Sequence, residues 1–324
     1  MADHRHVVIG FQSSGKTTYA AALWHLVDSR DTPTVLTKGL HNGDYRYLEK
    51  IASAWEQGWQ VDHTAFGTWQ PITINLRSEA GGDEVMLSFV DMSGETFERV
   101  FATREFDEHV EGMARDCEGL LLFVTALRLV DDVSIVDVGM AFPDEMPDEV
   151  DEVEDDDAAQ LSQTAIGQNA DAQCTEASPK SATTVESQGP DEFTPSRTPR
   201  QVQMTDLLDA FSEEPIALSP VRVVVIVSAW DKAPKNMTPD RWLAERMPLL
   251  DQYLRTHGDE FETRVYGVSA QGGVLPTKDK PHEPSDRQAL LAERIASQRI
   301  RVVGHDASQH DLTHPIAWLS GLER

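Results

Sequence analysis

Cysteine is nearly absent from this 324-residue chain: Cys117 and Cys174 are the only two, and they form no CxxC pair. A disulfide framework or a cysteine zinc site is not expected, and a reducing, cytoplasmic setting fits best. Long apolar runs are also missing. No stretch approaches the ~18 residues of a membrane span, so no transmembrane helix is expected. The opening MADHRH leads straight into an apolar run, so no signal peptide is expected. Basic residues are scarce, with 28 Lys and Arg against 55 Asp and Glu and a formal net charge of -27. Phosphate contacts to nucleic acid need Lys and Arg, so direct nucleic-acid binding is not expected. His25, His41, His63 and His109 show no metal-ligand spacing.

The acidity is local. No basic residue lies between Arg128 and Lys180, and Asp131 to Asp157 alone holds 13 carboxylates. MPDEVDEVEDDD buries too little apolar surface to offset its ordering entropy and self-repulsion. A stretch rich in Ser, Thr, Gln, Ala and Pro follows, to about Arg200. Residues 131–200 are therefore read as a disordered acidic insertion. Residues 1–130 and 201–324 are read as one discontinuous domain.

The flanks carry periodic apolar patterns. GLLLFVTA (Gly119–Ala126) and VRVVVIVSA (Val221–Ala229) suit central parallel strands covered on both faces. HVVI (His6–Ile9), QPITINL (Gln70–Leu76), VMLSFVD (Val85–Asp91) and RVYGVSA (Arg264–Ala270) read as further strands, with a hairpin turn at Gly81-Gly82-Asp83. Helical patterns cover Gly15–Ser29, Thr96–Asp116 and Thr238–Thr256. Met204, Leu207, Leu208 and Phe211 share helical spacing and read as a core-facing helix returning from the insertion. Strands alternating with helices imply an α/β fold with a mostly parallel central sheet flanked by helices.

GFQSSGKT, from Gly10 to Thr17, satisfies G-x-x-x-x-G-K-[ST] between a strand and a helix. Gly10 and Gly15 permit torsions and close approaches that a side chain blocks. The backbone N–H groups of Ser13, Ser14, Gly15, Lys16, Thr17 and Thr18 then point at phosphate from a helix N-terminus. Lys16 supplies charge between the β- and γ-phosphates, and the Thr17 hydroxyl completes a Mg2+ shell.

Three later stretches bear on the nucleotide. In VDMSGETF, Asp91 is placed to hold Mg2+ through water and the Gly94 N–H to meet the γ-phosphate; the plainer reading of Asp91 is a helix cap. Glu95 stands where many GTPases carry a water-orienting Gln. It is either a catalytic group or a solvated residue favoured by the helix dipole. VSAWDK resembles the N-K-x-D element of GTPases, with Ser228 and Ala229 replacing Asn and Lys. A carboxylate at Asp231 accepts from guanine N1–H and the 2-amino group; its plainer reading is an N-cap or loop salt bridge. Trp230 either packs this loop or the core. VSAQ places Ser269 and Ala270 as an S-A-x element, whose backbone approaches the guanine oxygen. In VDHTAFGTWQP, Thr64 is preferred over Thr68 as the switch threonine that reaches Mg2+ and the γ-phosphate. Trp55, Trp59 and Trp69 are expected to pack this segment rather than bind a base.

The ordered set GFQSSGKT, DMSG, SAWD and VSAQ resembles the TRAFAC class of P-loop GTPases, with a Ras-like domain. With GKTTYAAAL, DMSGE, SAWDK and HDLTHPIAWL, the chain more closely resembles the bacterial double-GTPase-like family. The resemblance covers most of 5–128 and 201–324. It implies a single GTP-binding domain, often encoded beside bacterial defence or conflict components. The expected cofactors are GTP or GDP with Mg2+. Lys16, Glu95 and Thr64 are the expected catalytic groups, and Thr17, Thr64 and Asp91 the expected metal ligands. Slow or partner-stimulated GTP hydrolysis would then release switch segments near Thr64 and Gly94 to alter a protein partner's surface. The alternatives are an ATP-using P-loop enzyme and a non-catalytic nucleotide-dependent scaffold.

Overall fold

A strand buried on both faces must be apolar at every position, and the two most apolar stretches of this chain lie side by side. In the computed structural model they form β5 (Gly119–Thr125) and β6 (Val221–Ser228), paired in parallel. The structure describes residues 3–40, 45–61, 72–89, 95–106, 108–127, 198–214, 216–218 and 221–323. All of them belong to the unit formed by Met1–Asp132 and Pro195–Arg324. The tract expected as a disordered insertion falls almost wholly outside the described residues.

The remaining strands are β1 (Asp3–Ile9), β2 (Leu36–Lys38), β3 (Ile72–Ser78), β4 (Glu84–Phe89), β7 (Phe261–Ser269) and β8 (Arg301–Val303). One sheet has the order β2-β3-β4-β1-β5-β6-β7-β8. The interior pairs from β4 through β7 are parallel. The β2–β3, β3–β4 and β7–β8 pairs are antiparallel. This is the expected α/β fold with a mostly parallel sheet.

Alternation along the strands sorts the core into two groups. Val8, Leu121, Phe123, Val224 and Ile226 face α1 (Lys16–Ser29), α2 (Arg46–Glu56) and α9 (His314–Leu319). Val7, Ile9, Leu120, Leu122, Val223 and Val225 face the other side. There they meet α3 (Glu95–Thr103), α4 (Glu108–Arg115), α5 (Arg200–Ser212), α6 (Pro239–Arg246) and α7 (Pro248–Thr256). Each buried Val, Leu or Ile contributes roughly 1.5–3 kcal/mol, so the continuous runs are the strongest fold-determining feature. Met204, Leu207, Leu208 and Phe211 are all buried on α5, as their spacing predicts. Burial pushes the Cys117 thiol up to about 12, which makes it unreactive.

Four features differ from the sequence reading. The helix expected over 96–116 is two helices, because Arg104 adopts a left-handed φ of 59° and the Thr103 hydroxyl oxygen accepts the Glu105 N–H. The helix expected over 238–256 breaks at Met247 (φ -133°, ψ 59°), since a residue before proline, here Pro248, is forced out of the helical region. Two elements that the sequence reading did not assign, β2 and α2, lie between α1 and β3. Finally, β8 closes the far edge of the sheet, and HDLTHPIAWL clamps the near one. The Asp311 carboxylate accepts from Val35 N–H at 2.9 Å, and the Thr313 hydroxyl oxygen accepts from Leu36 N–H at 3.0 Å. The short strand β2 is thus held by the C-terminal segment as well as by β3. Among the described residues no helix is long and apolar enough to cross a membrane.

Candidate functional site

The C-terminal ends of the parallel strands are where connecting loops converge in an open α/β sheet. Here the ends of β5, β6 and β7 and the loop after β1 line one cavity of about 690 Å³, within the range of small-molecule sites.

The loop after β1 forms one end of it. Gly10 has φ 154°, and a Cβ there would lie 3.0 Å from the Phe123 carbonyl oxygen. Gly15 has φ 92°, and its Cβ would lie 2.9 Å from that of Ser228. Both glycines are therefore needed to lay the loop against β5 and β6. Ser13 sits at φ 61°, an uncommon conformation that costs of order 1–3 kcal/mol. Helix α1 begins at Lys16, straight after this turn, so its unpaired N–H groups face the cavity. Lys16 is only 2 % exposed. Its ammonium donates to the Gly10 and Phe11 carbonyls at 2.6 and 3.0 Å. Ser14, Thr17 and Thr18 line the same end. Behind them Tyr19 donates to the Leu312 carbonyl at 2.8 Å, and burial pushes its hydroxyl pKa up.

The other end is built by side chains from two distant strands. The Ser269 hydroxyl donates to Asp231 Oδ1 at 2.7 Å and accepts from the Gly272 N–H at 3.2 Å. Accepting from Gly272 leaves the hydroxyl proton for Asp231, which orients that carboxylate. Lys232 Nζ lies 3.3 Å from Asp231 Oδ2. Ala229 takes a left-handed φ of 52° between Ser228 and the turn Trp230–Lys232. The Trp230 ring packs on β7 at Gly267, where a Cβ would come within 2.3 Å of it. That loop therefore owes its seat to an aromatic contact.

A third wall comes from the chain after α2. Gln60 and Val61 line the cavity, and the Gln60 N–H donates to the Pro276 carbonyl at 2.9 Å. Trp55 Nε1 donates to the Ala270 carbonyl at 2.9 Å. Arg287 lies over the Trp59 ring at 4.0 Å and donates to the Gly58 carbonyl at 3.1 Å. As expected, Trp55 and Trp59 pack the segment. Trp69 lies outside the described residues.

A sequence profile of the Double-GTPase 1 family matches residues 7–319, taking in both ends of the cavity. The chain belongs to the Double-GTPase 1 family. A search among curated proteins finds no match. Among solved structures, the bacterial selenocysteine-specific elongation factor EF-Sec is similar at 10% identity and a TM-score of 0.32, covering 83% of this chain and 26% of that one. The S. cerevisiae Ski7 GTPase-like domain bound to GTP is similar at 9% identity and a TM-score of 0.37, covering 84% and 43%. The same domain bound to GDP and inorganic phosphate gives 10% and 0.35, covering 83% and 43%. This chain spans less than half the length of each of these chains. The family assignment rests on the profile match over residues 7–319.

In this double-GTPase chain Gly10, Ser13, Ser14, Gly15, Lys16, Thr17 and Thr18 come together with Ser228, Asp231, Ser269 and Ala270. Thr64, Thr68, Asp91 and Gly94 lie outside the described residues. Glu95 opens α3, and its side chain also lies outside them. The sequence reading missed Gln60, Val61 and Leu275 as wall residues. Nothing local marks them, since they reach the cavity only through the contacts among α2, α8 (Arg287–Leu291) and the loop after β7. Among the described residues no group of three His, Cys, Asp or Glu is placed to hold a metal. Mg2+ at a nucleotide site is carried largely by phosphate and water with one or two protein oxygens. The Thr17 hydroxyl at the cavity fits that donor set.

Proposed function

We propose that this chain binds guanine nucleotide with Mg2+ in the cavity, hydrolyses GTP and serves as a regulatory switch. The observation that carries the reading is the single cavity joining the Lys16 loop to the Asp231–Ser269 pair. In this reading the 10–18 loop cradles the phosphates through backbone N–H groups. The Lys16 ammonium leaves the Gly10 and Phe11 carbonyls for phosphate oxygens, exchanging neutral acceptors for charged ones. Asp231, oriented by Ser269, accepts the N1–H and 2-amino hydrogens of guanine. Adenine lacks that pair of donors. Thr17, with Thr64 and Asp91, would hold Mg2+, which would neutralise charge on the phosphates. Glu95, at the head of α3, is proposed to orient or deprotonate the attacking water.

Slow or partner-stimulated turnover, release of the segments near Thr64 and Gly94, a protein partner, and a place in bacterial defence or conflict are the regulatory part of this proposal. They are supported by the family resemblance. Competition among GTP, XTP and ATP for the purified chain, with hydrolysis followed by phosphate release, is the test. A preference for ATP would overturn the guanine reading. GTP binding without phosphate release would overturn the enzymatic one.

A further inference from the structure

Arg200 occupies the first position of α5, and local physics disfavours it there. The positive end of the helix dipole repels a cation, and the first turn of α5 contains no acidic residue. Compensation comes from side chains of the phosphate loop, of α3 and of α5 itself. The guanidinium lies 4.9 Å from the centre of the Phe11 ring, in the phosphate loop. Its Nη1 lies 2.9 Å from Glu98 Oε1 on α3 and donates to Gln203 Oε1 at 3.0 Å. A second pair joins the same two helices, since Arg104, just past α3, meets Asp206 of α5 at 2.5 Å. Phe97 and Val100 of α3 share an apolar group with Met204, Leu207 and Phe211 of α5, and Phe11 belongs to it too.

Those apolar contacts seat α5 in the core, and a partly exposed ion pair adds little to stability. The arginine contributes a link among three elements. Glu98 Oε1 is buried but lacks a well-aligned hydrogen bond. The pair is thus a charge contact between α3 and α5 rather than an aligned hydrogen bond. Helix α3 follows directly on DMSG, and on the reading above it is the first rigid element to respond to the γ-phosphate.

We propose that Arg200 is a positioning residue that couples the γ-phosphate state of the site to α5, through Glu98 on α3 and Phe11 in the phosphate loop. The coupling is reciprocal: whatever displaces α5 changes the preference between GTP and GDP by the same factor. This inference rests on the guanine-nucleotide reading.

The test uses the full chain, with amide hydrogen exchange across α5 in GDP and in a non-hydrolysable GTP analogue, and with dissociation constants for both. In the wild type, α5 amides are expected to exchange differently in the two states. In Arg200→Ala that difference collapses, GDP affinity stays within about twofold, and the ratio of the two constants shifts by about fivefold or more. Glu98→Gln gives the same shift, and the double variant goes no further. An arginine that only supports the fold would alter exchange in both states alike. Identical α5 exchange in both states of the wild type, or additive shifts in the double variant, overturns the coupling alone. A wild type that binds neither nucleotide overturns the guanine reading and the coupling with it. Should Arg200→Ala not fold, Glu98→Gln carries the same comparison.

Discussion

The two ends of the cavity are built in opposite ways. At the proposed phosphate end, one contiguous stretch, 10–18, supplies the backbone N–H groups together with the Lys16 ammonium and the Thr17 hydroxyl. At the proposed base end, the Asp231 and Ser269 side chains and the Gly272 N–H join the ends of β6 and β7, and the wall beside it comes from the segment after α2. Phosphate is a repetitive, charged target that N–H groups at a helix start recognise whatever the neighbouring side chains. A base edge is a particular pattern of donors and acceptors, and reading it takes groups set at fixed angles. A local motif therefore suffices at one end, and tertiary assembly is required at the other.

The sharpest way to separate the ends is Lys16→Ala. This removes the buried ammonium from the phosphate end and is expected to cost at least about a hundredfold in affinity for GTP and GDP alike, with the fold retained. Titration of a fluorescent GTP analogue, alongside a thermal melt, measures it. Unchanged affinity would mean that the two ends do not divide the work in this way.

Acid should act on both ends together. His6 is fully buried, with Nε2 2.7 Å from Ser320 Oγ, and burial holds its imidazole at about 3, down from 6.5. The folded state keeps His6 neutral, whereas the unfolded chain takes up a proton below pH 6.5. The stability contribution is therefore complete above about pH 6.5 and is lost progressively as pH falls towards 3. Going from pH 6.5 to pH 5 should cost about 2 kcal/mol through this residue. His6→Gln should flatten that slope in denaturant titrations, and an unaltered slope would remove His6 from the account.

Asp231→Asn tests the base end alone. GTP affinity should fall about tenfold to a hundredfold, with XTP gaining, because an amide donates where xanthine carries a carbonyl. Competition binding of GTP, XTP and ATP reads this directly. If the variant keeps its full GTP preference, the carboxylate is not the base reader. Ser269→Ala should have a smaller effect of the same kind. Losing the hydrogen bond that orients Asp231 should weaken GTP about threefold to tenfold and leave any weak ATP binding unchanged. Equal losses for both nucleotides would show that Ser269 supports the loop rather than the carboxylate. Replacing 135–198 with a short flexible linker should have the smallest effect. Nucleotide affinities should stay within about twofold, with the same melting midpoint in calorimetry.

Legibility followed burial. The runs at 119–126 and 221–229 read correctly as central strands because both faces are covered, and burial leaves no polar position to confuse the pattern. The three-residue strands β2 and β8 escaped notice. Each is at a sheet edge and is too short for a period, and β2 depends on Asp311 and Thr313 from the other end of the chain. The break at Met247 carried a readable signal in Pro248. The break after Thr103 carried none, since a left-handed arginine is settled by its surroundings.

The sequence alone determined the phosphate loop, the parallel α/β order and the helix of Met204, Leu207, Leu208 and Phe211, because each depends on spacing within a few residues. It also held the ordered motifs that mark the family. Only the tertiary structure decided that Ser269 orients Asp231, that Trp230 lies on Gly267, that Trp55 and Gln60 tie the α2 end to the loop after β7, and that Arg200 spans the phosphate loop and α3. Those contacts join residues far apart in the chain. Their physical basis is the convergence of strand ends in a twisted parallel sheet, which no local pattern of residues encodes.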